Sequence, residues 1–90
     1  MKMKTTTGHF AYMLLCADGT VYSGYSTDPN RRAAIHNSGR GAKYTRSRLP
    51  VELVFTECFP TKGEALKREA ALKKLSHLEK LALISSGSVL

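Results

Sequence analysis

The hydrophobic and polar positions change period several times along the chain, and each change marks an element. Phe10 to Cys16 is an uncharged run containing Phe and Tyr, and after Ala17-Asp18-Gly19 the chain resumes with Val21-Tyr22. Aromatic and aliphatic runs separated by a turn signal of this length predict a β-hairpin. Two registers compete. A two-residue Asp18-Gly19 loop sets Tyr25 opposite Tyr12 and sends Tyr12 and Tyr22 to opposite faces. A three-residue Ala17-Asp18-Gly19 loop sets Leu14 opposite Tyr22 and puts both tyrosines on one face. The second is favoured, because Gly19 suits a left-handed third position and Asp18 is then spared a positive φ.

Asp28-Pro29 reads as an N-cap followed by the first helical residue, and Asn37-Ser38-Gly39 as the stop of a short helix. Arg32 and His36, four apart, share one face of it, while Arg31 points roughly 100° away. Arg40 to Pro50 shows no apolar period and is expected to be a loop; Val51 to Phe59 is a third strand. Glu52 and Glu57 make that strand less buried than the first, which is expected at the centre of the sheet. Thr61-Lys62-Gly63-Glu64 opens a helix to about Leu75, and Ser76 to Glu79 repeats the capping signal for a last helix to about Ile84. The predicted architecture is ββαβαα, an α+β fold in which helices flank a three-stranded antiparallel sheet.

Ninety residues hold one small domain. It is expected over 10–84, with a flexible leader over 1–9, where three threonines follow one another, and a flexible tail over 85–90. Two cysteines, Cys16 and Cys58, each inside an apolar run, cannot build a disulfide framework and are expected as reduced core residues. The apolar stretch after Lys2 and Lys4 is too short and too poorly ended for a secretory signal, and no run approaches the roughly 20 residues of a membrane span. A cytoplasmic protein without membrane contact is the expectation.

Charge changes the picture most. Fourteen Lys and Arg against seven Asp and Glu leave +7 on a small domain, which favours polyanions and makes nucleic acid the first partner to consider. The excess is local: Arg31, Arg32, Arg40, Lys43, Arg46 and Arg48 lie within eighteen residues that contain no acid. A solvated basic loop is the bland reading. Phosphate binding is favoured, since guanidinium forks match phosphate oxygens and a loop with Gly39 and Gly41 can follow a backbone. Tyr44 within it either stacks on a base or anchors the loop.

Glu69 falls in the apolar arc of its helix, between Leu66 on one side and Ala65 and Leu72 on the other. Either it pairs with Lys73 one turn on, a common and weak contact, or it faces a cleft and offers oxygen to a hard cation. Tyr12 and Tyr22 taken singly read as core, and His36 as a helix C-terminal charge. Zinc spacings, Walker loops and dinucleotide-binding glycines are absent from the sequence, so no small-molecule cofactor is expected.

Taken together these residues resemble the GIY-YIG nuclease family, in particular its small stand-alone UPF0213-like members, over Phe10 to Ile84. Ala11-Tyr12-Met13 stands at the first tripeptide and keeps only its tyrosine; Tyr22-Ser23-Gly24 keeps the tyrosine and glycine of the second. Asp28 to His36 is similar to the Arg-x-x-x-His helix, Glu69 to the helix glutamate, and Gly41-Ala42-Lys43-Tyr44-Thr45-Arg46 to a stretch typical of the small members. The resemblance implies an endonuclease that hydrolyses phosphodiesters with a divalent cation, Mg²⁺ or Mn²⁺, on Glu69. Tyr12 would be the general base, Tyr22 would position water or phosphate, Arg32 would stabilise the transition-state charge, and His36 would assist proton transfer or orient Arg32. DNA that is branched, nicked or damaged is favoured over RNA as substrate. A weakly active or inactive nucleic-acid-binding module is the alternative, a domain docking an acidic protein partner the remoter one, and the oligomeric state is left open.

Overall fold

The computed structural model describes residues 8–86. The chain runs β1 (His9–Cys16), β2 (Val21–Ser26), α1 (Pro29–Asn37), α2 (Lys43–Arg46), β3 (Val51–Phe59), α3 (Lys62–Lys73) and α4 (His77–Ser85). This is the expected ββαβαα order with one added helical turn. Of the predicted leader over 1–9 and tail over 85–90, residues 1–7 and 87–90 lie outside the described residues; His9 belongs to β1 and Ser85 to α4.

Both strand pairs are antiparallel, in the order β2-β1-β3, so β1 is central as its freedom from charge implies. The hairpin takes the three-residue turn. Leu14 faces Tyr22 and Tyr12 faces Gly24, with Gly19 left-handed at φ 87°. Asp18 fastens the turn by accepting from the Thr20 amide at 3.0 Å and its hydroxyl at 2.6 Å, contacts that hold its carboxyl below the usual carboxylate range.

Alternation along β1 divides the core between two faces. Ala11 and Met13 join Val21, Phe55 and Leu72 beneath α3, with Leu83 and Ile84 of α4 packed against them. Ser23 is buried on this side, and nothing among the described residues explains its unpartnered hydroxyl. On the other face Tyr12, Leu14, Cys16 and Val51 lie beneath Ala33 of α1. A bulge between Met13 and Leu14 in the pairing with β3 lets the edge strand keep both faces in register.

The helix ends follow their signals. Asp28 accepts from the Arg31 amide at 3.2 Å, and Ser76 and Glu79 form a reciprocal capping box at 3.1 and 2.8 Å. Two expectations need correction. Cys16 is buried, which pushes its thiol up, but Cys58 is exposed: it pairs with Phe10, and the cluster on that face ends at Tyr12. The segment from Arg40 to Pro50 is not wholly loop, because residues Lys43–Arg46 form α2. A single turn is too short to show an apolar period. Thr45, fully buried, holds it: its amide donates to the Ala42 carbonyl at 3.0 Å, its hydroxyl lies 2.8 Å from the same oxygen, and its own carbonyl accepts from the Arg48 amide.

Candidate active site

The Tyr12 face carries the candidate chemistry. Tyr12 and Tyr22 are diagonal neighbours across β1 and β2, on one face as the three-residue turn requires. Gly24 lies directly opposite Tyr12, and a Cβ there would stand 2.6 Å from the tyrosine's hydroxyl. The space is filled by the Tyr12 ring.

From above, α1 supplies His36. The ring is 1 % exposed, and its Nε2 lies 3.2 Å from the Tyr12 hydroxyl. Its Nδ1 meets the Thr45 hydroxyl at 2.9 Å and accepts from the Ala42 amide at 3.2 Å. Burial, aided by the charge of Arg32, lowers the His36 pKa below 6.5 and keeps the imidazole neutral near pH 7. Gly41 is what permits this closeness, since a Cβ there would collide with the His36 ring. The second glycine of the basic loop thus serves a side chain of this protein.

Tyr12 is 1 % exposed and has a phenol pushed up to about 12, chiefly by burial, then by Tyr22. Arg32 pulls the other way from beside the hydroxyl, without the geometry of a full hydrogen bond. Glu69 adds a smaller upward push, so its charge is felt at the same phenol although α3 packs on the opposite face of the sheet. Among the protein's own groups, desolvation outweighs the pull of Arg32 toward the phenolate.

Glu69 does form the i,i+4 ion pair, with Lys73 Nζ at 3.1 Å. Its side chain is nevertheless only 18 % exposed against 54 % for the lysine. A long, exposed lysine leaves a carboxylate at little cost. Among the described residues no three His, Cys, Asp or Glu side chains gather as metal ligands. A single carboxylate suits a hydrated hard cation such as Mg²⁺, which keeps several waters and completes its shell with substrate phosphate, and does not suit zinc.

Tyr22 is half-buried between two rings, His36 at 5.3 Å and Tyr44 at 5.9 Å, the latter nearly parallel. Arg48 lies over the Tyr44 ring, 3.9 Å from its centroid, and is tied to Asp18 at 3.0 Å and to the Tyr44 carbonyl at 2.7 Å. These contacts with Tyr22 and Arg48 let Tyr44 anchor the loop. Arg48 also departs from expectation: it is partly buried and ion-paired. Arg31, Arg32, Arg40, Lys43 and Arg46 are exposed and have no carboxylate partner among the described residues. Arg31 and Arg32 line a groove of about 320 Å³ with Ser26, Thr27, Asp28 and Ile35. Thr45, Ala42 and Gly41 are the residues that spacing could not find in these roles, because nothing in their pattern distinguishes them from loop.

A family model, the GIY-YIG catalytic domain, matches residues 8–82. The chain belongs to the GIY-YIG family. This is a family of endonucleases, and its domain implies a nucleic-acid substrate. Among GIY-YIG relatives, the chain is 52 % identical over 79 residues to a UPF0213 protein of Staphylococcus saprophyticus, covering 88 % of this chain and 96 % of that one. It is 55 % identical over 75 residues to a UPF0213 protein of Halobacterium salinarum, with 83 % and 97 % covered. Its fold is similar to the solution NMR structure of a UPF0213 protein from Bacillus halodurans, at a TM-score of 0.58 and 48 % identity over 91 % of this chain and 87 % of that one. Among the described residues of this GIY-YIG domain no helix is long and apolar enough to cross a membrane.

Proposed function

We propose that the protein is a divalent-metal-dependent endonuclease that cuts phosphodiester bonds in DNA, with branched, nicked or damaged DNA as its substrate class. The observation that carries this reading is the convergence on one phenol: Tyr12 is touched by His36, flanked by Arg32 and reached by the charge of Glu69. A guanidinium beside a phenol, with a carboxylate in electrostatic reach, is what phosphodiester hydrolysis asks for, because charge develops on the non-bridging oxygens.

Glu69 holds the cation, which supplies charge neutralisation and polarisation of the phosphate. Arg32, exposed at the groove, takes a non-bridging oxygen through its fork. The Tyr22 hydroxyl makes no hydrogen bond among the described residues and so is free to orient the attacking water. Tyr12 stays protonated at neutral pH and works through its hydroxyl as a neutral group. The exposed cations Arg31, Arg40, Lys43 and Arg46 bind the flanking phosphates, a sequence-independent contribution.

Cleavage of several labelled DNA structures in Mg²⁺ or Mn²⁺, beside a Glu69→Ala control that keeps fold and binding, tests this reading. Loss of cleavage in the control alone supports the endonuclease. Binding without cleavage by the unaltered protein points instead to the silent nucleic-acid-binding module.

A further inference from the structure

The hydrogen bonds around His36 determine which way they run. A backbone amide can only donate, and the Ala42 N–H is aimed at Nδ1, 3.2 Å away. Nδ1 therefore presents its lone pair, and in a neutral imidazole the proton must sit on Nε2. The opposite tautomer would aim the Ala42 N–H at another N–H. With Nδ1 as acceptor the Thr45 hydroxyl at 2.9 Å turns its proton to the ring, and the Ala42 carbonyl that it gives up still accepts from the Thr45 amide at 3.0 Å. The Ala42 N–H, the Thr45 hydroxyl and the Nε2–H each then have an acceptor.

The consequence lies at the other end of the ring. Nε2 must donate to the Tyr12 oxygen, 3.2 Å away, so that oxygen is an acceptor toward His36 and its own hydrogen points elsewhere. No acceptor for that hydrogen lies among the hydrogen bonds of the described residues. Arg32 stands beside the same hydroxyl. An O–H without an acceptor next to an exposed guanidinium is a matched pair of donors for one anion.

We propose that Ala42 and Thr45 are positioning residues that lock His36 in its Nε2–H form, so that Tyr12, its oxygen held by His36, donates its hydroxyl hydrogen together with Arg32 to a non-bridging oxygen of the phosphodiester. The assignment rests on the endonuclease reading for the identity of the anion, but not for the tautomer. It gives the basic loop a second role, since the turn that carries Lys43 and Arg46 also sets the direction of a hydrogen bond inside the site. The donation is a hydrogen bond and requires no proton transfer from Tyr12.

Side-chain ¹⁵N spectra of the full chain labelled in histidine read the tautomer directly, with or without nuclease activity. Near pH 7 His36 should show a protonated Nε2 and an unprotonated Nδ1; the reverse pattern overturns the proposal whatever the protein cleaves. Thr45→Val keeps the shape and removes the hydroxyl, and is expected to mix the two tautomers and lower kcat about tenfold, the loss of one hydrogen bond's worth of alignment, with KM little changed. Thr45→Ser should restore both readouts. A Thr45→Val protein with unaltered His36 signals and full kcat removes Thr45 from the role. Tyr12→Phe, measured for binding to a DNA duplex in chelator, should weaken affinity about tenfold if the hydroxyl donates to phosphate. Unchanged affinity overturns that half. Failure of the unaltered protein to cut any DNA sinks the endonuclease reading separately, and leaves the spectra to judge the tautomer.

Discussion

The two faces of the central strand are built from alternate residues of one short segment, yet they obey different rules. Ala11 and Met13 point into an apolar cluster with Val21, Phe55 and Leu72, where only volume and shape matter. Tyr12, one residue away, points into a buried chain of hydrogen bonds through His36 and Thr45 to the Ala42 backbone. A buried polar chain stands only if every member is satisfied, and it therefore dictates orientation in a way that an apolar cluster does not. Within this one strand, the apolar packing of Ala11 and Met13 and the hydrogen-bonded chain of Tyr12 thus point to opposite faces.

Substitutions should separate the faces. The largest expected effect is on activity: Glu69→Ala, measured by cleavage of labelled DNA, should lose about 10³-fold, several kcal/mol of charge stabilisation, with a urea midpoint close to the unaltered protein's because its ion pair is surface-like. Next comes the apolar face. Met13→Ala should cost about 2–5 kcal/mol in urea unfolding through lost burial and the cavity left behind. What folded protein remains should bind DNA unchanged, and a changed affinity would show that the faces are not separable. Gly24→Ala tests the boundary between them. A Cβ pressed on Tyr12 should cost about 1–3 kcal/mol in the same assay and disturb the His36 signals, while Gly63→Ala, where a Cβ meets nothing within 4 Å, should do neither.

The pH response should come from the polar face. His36 has a folded-state pKa depressed by burial and by Arg32, with Tyr12 and Tyr22 as its other titratable neighbours. The unfolded chain then binds more protons at acid pH, so its contribution to stability is complete above 6.5 and is lost as pH falls from there toward the folded value. Urea midpoints at a series of pH values check this, and His36→Asn should flatten the acid limb. The smallest effect concerns the surface: replacing Lys43 and Arg46 by Ala should reduce the salt slope of DNA binding by up to about two units, with stability unchanged because both are exposed. Arg48→Ala should differ, since that side chain holds Tyr44 and Asp18 and its loss loosens the loop.

Much was legible along the chain because it depends on neighbours in sequence. The hairpin register follows from where a glycine can turn left-handed, α1 from Asp28 and Pro29, α4 from its capping box, and the central place of β1 from its lack of charge. These are short-range preferences, and they act before any tertiary contact exists. Tyr12, Tyr22, Arg32, His36 and Glu69 were nameable as candidates only through the family resemblance, since singly they read as core, helix-end charge or ion pair. What the pattern could not state is what each touches. Nothing in sequence shows that Gly24 and Gly41 lie against the rings of Tyr12 and His36; Cys58 looks apolar until the cluster beside it ends; Arg48 and Tyr44 read only as part of a basic run until they are found against each other. The direction of the His36 hydrogen bonds was decided only when α2 folded back to place an amide against Nδ1. Burial, and with it a phenol at about 12, is a property of all the elements packed around Tyr12, and no stretch of sequence contains it.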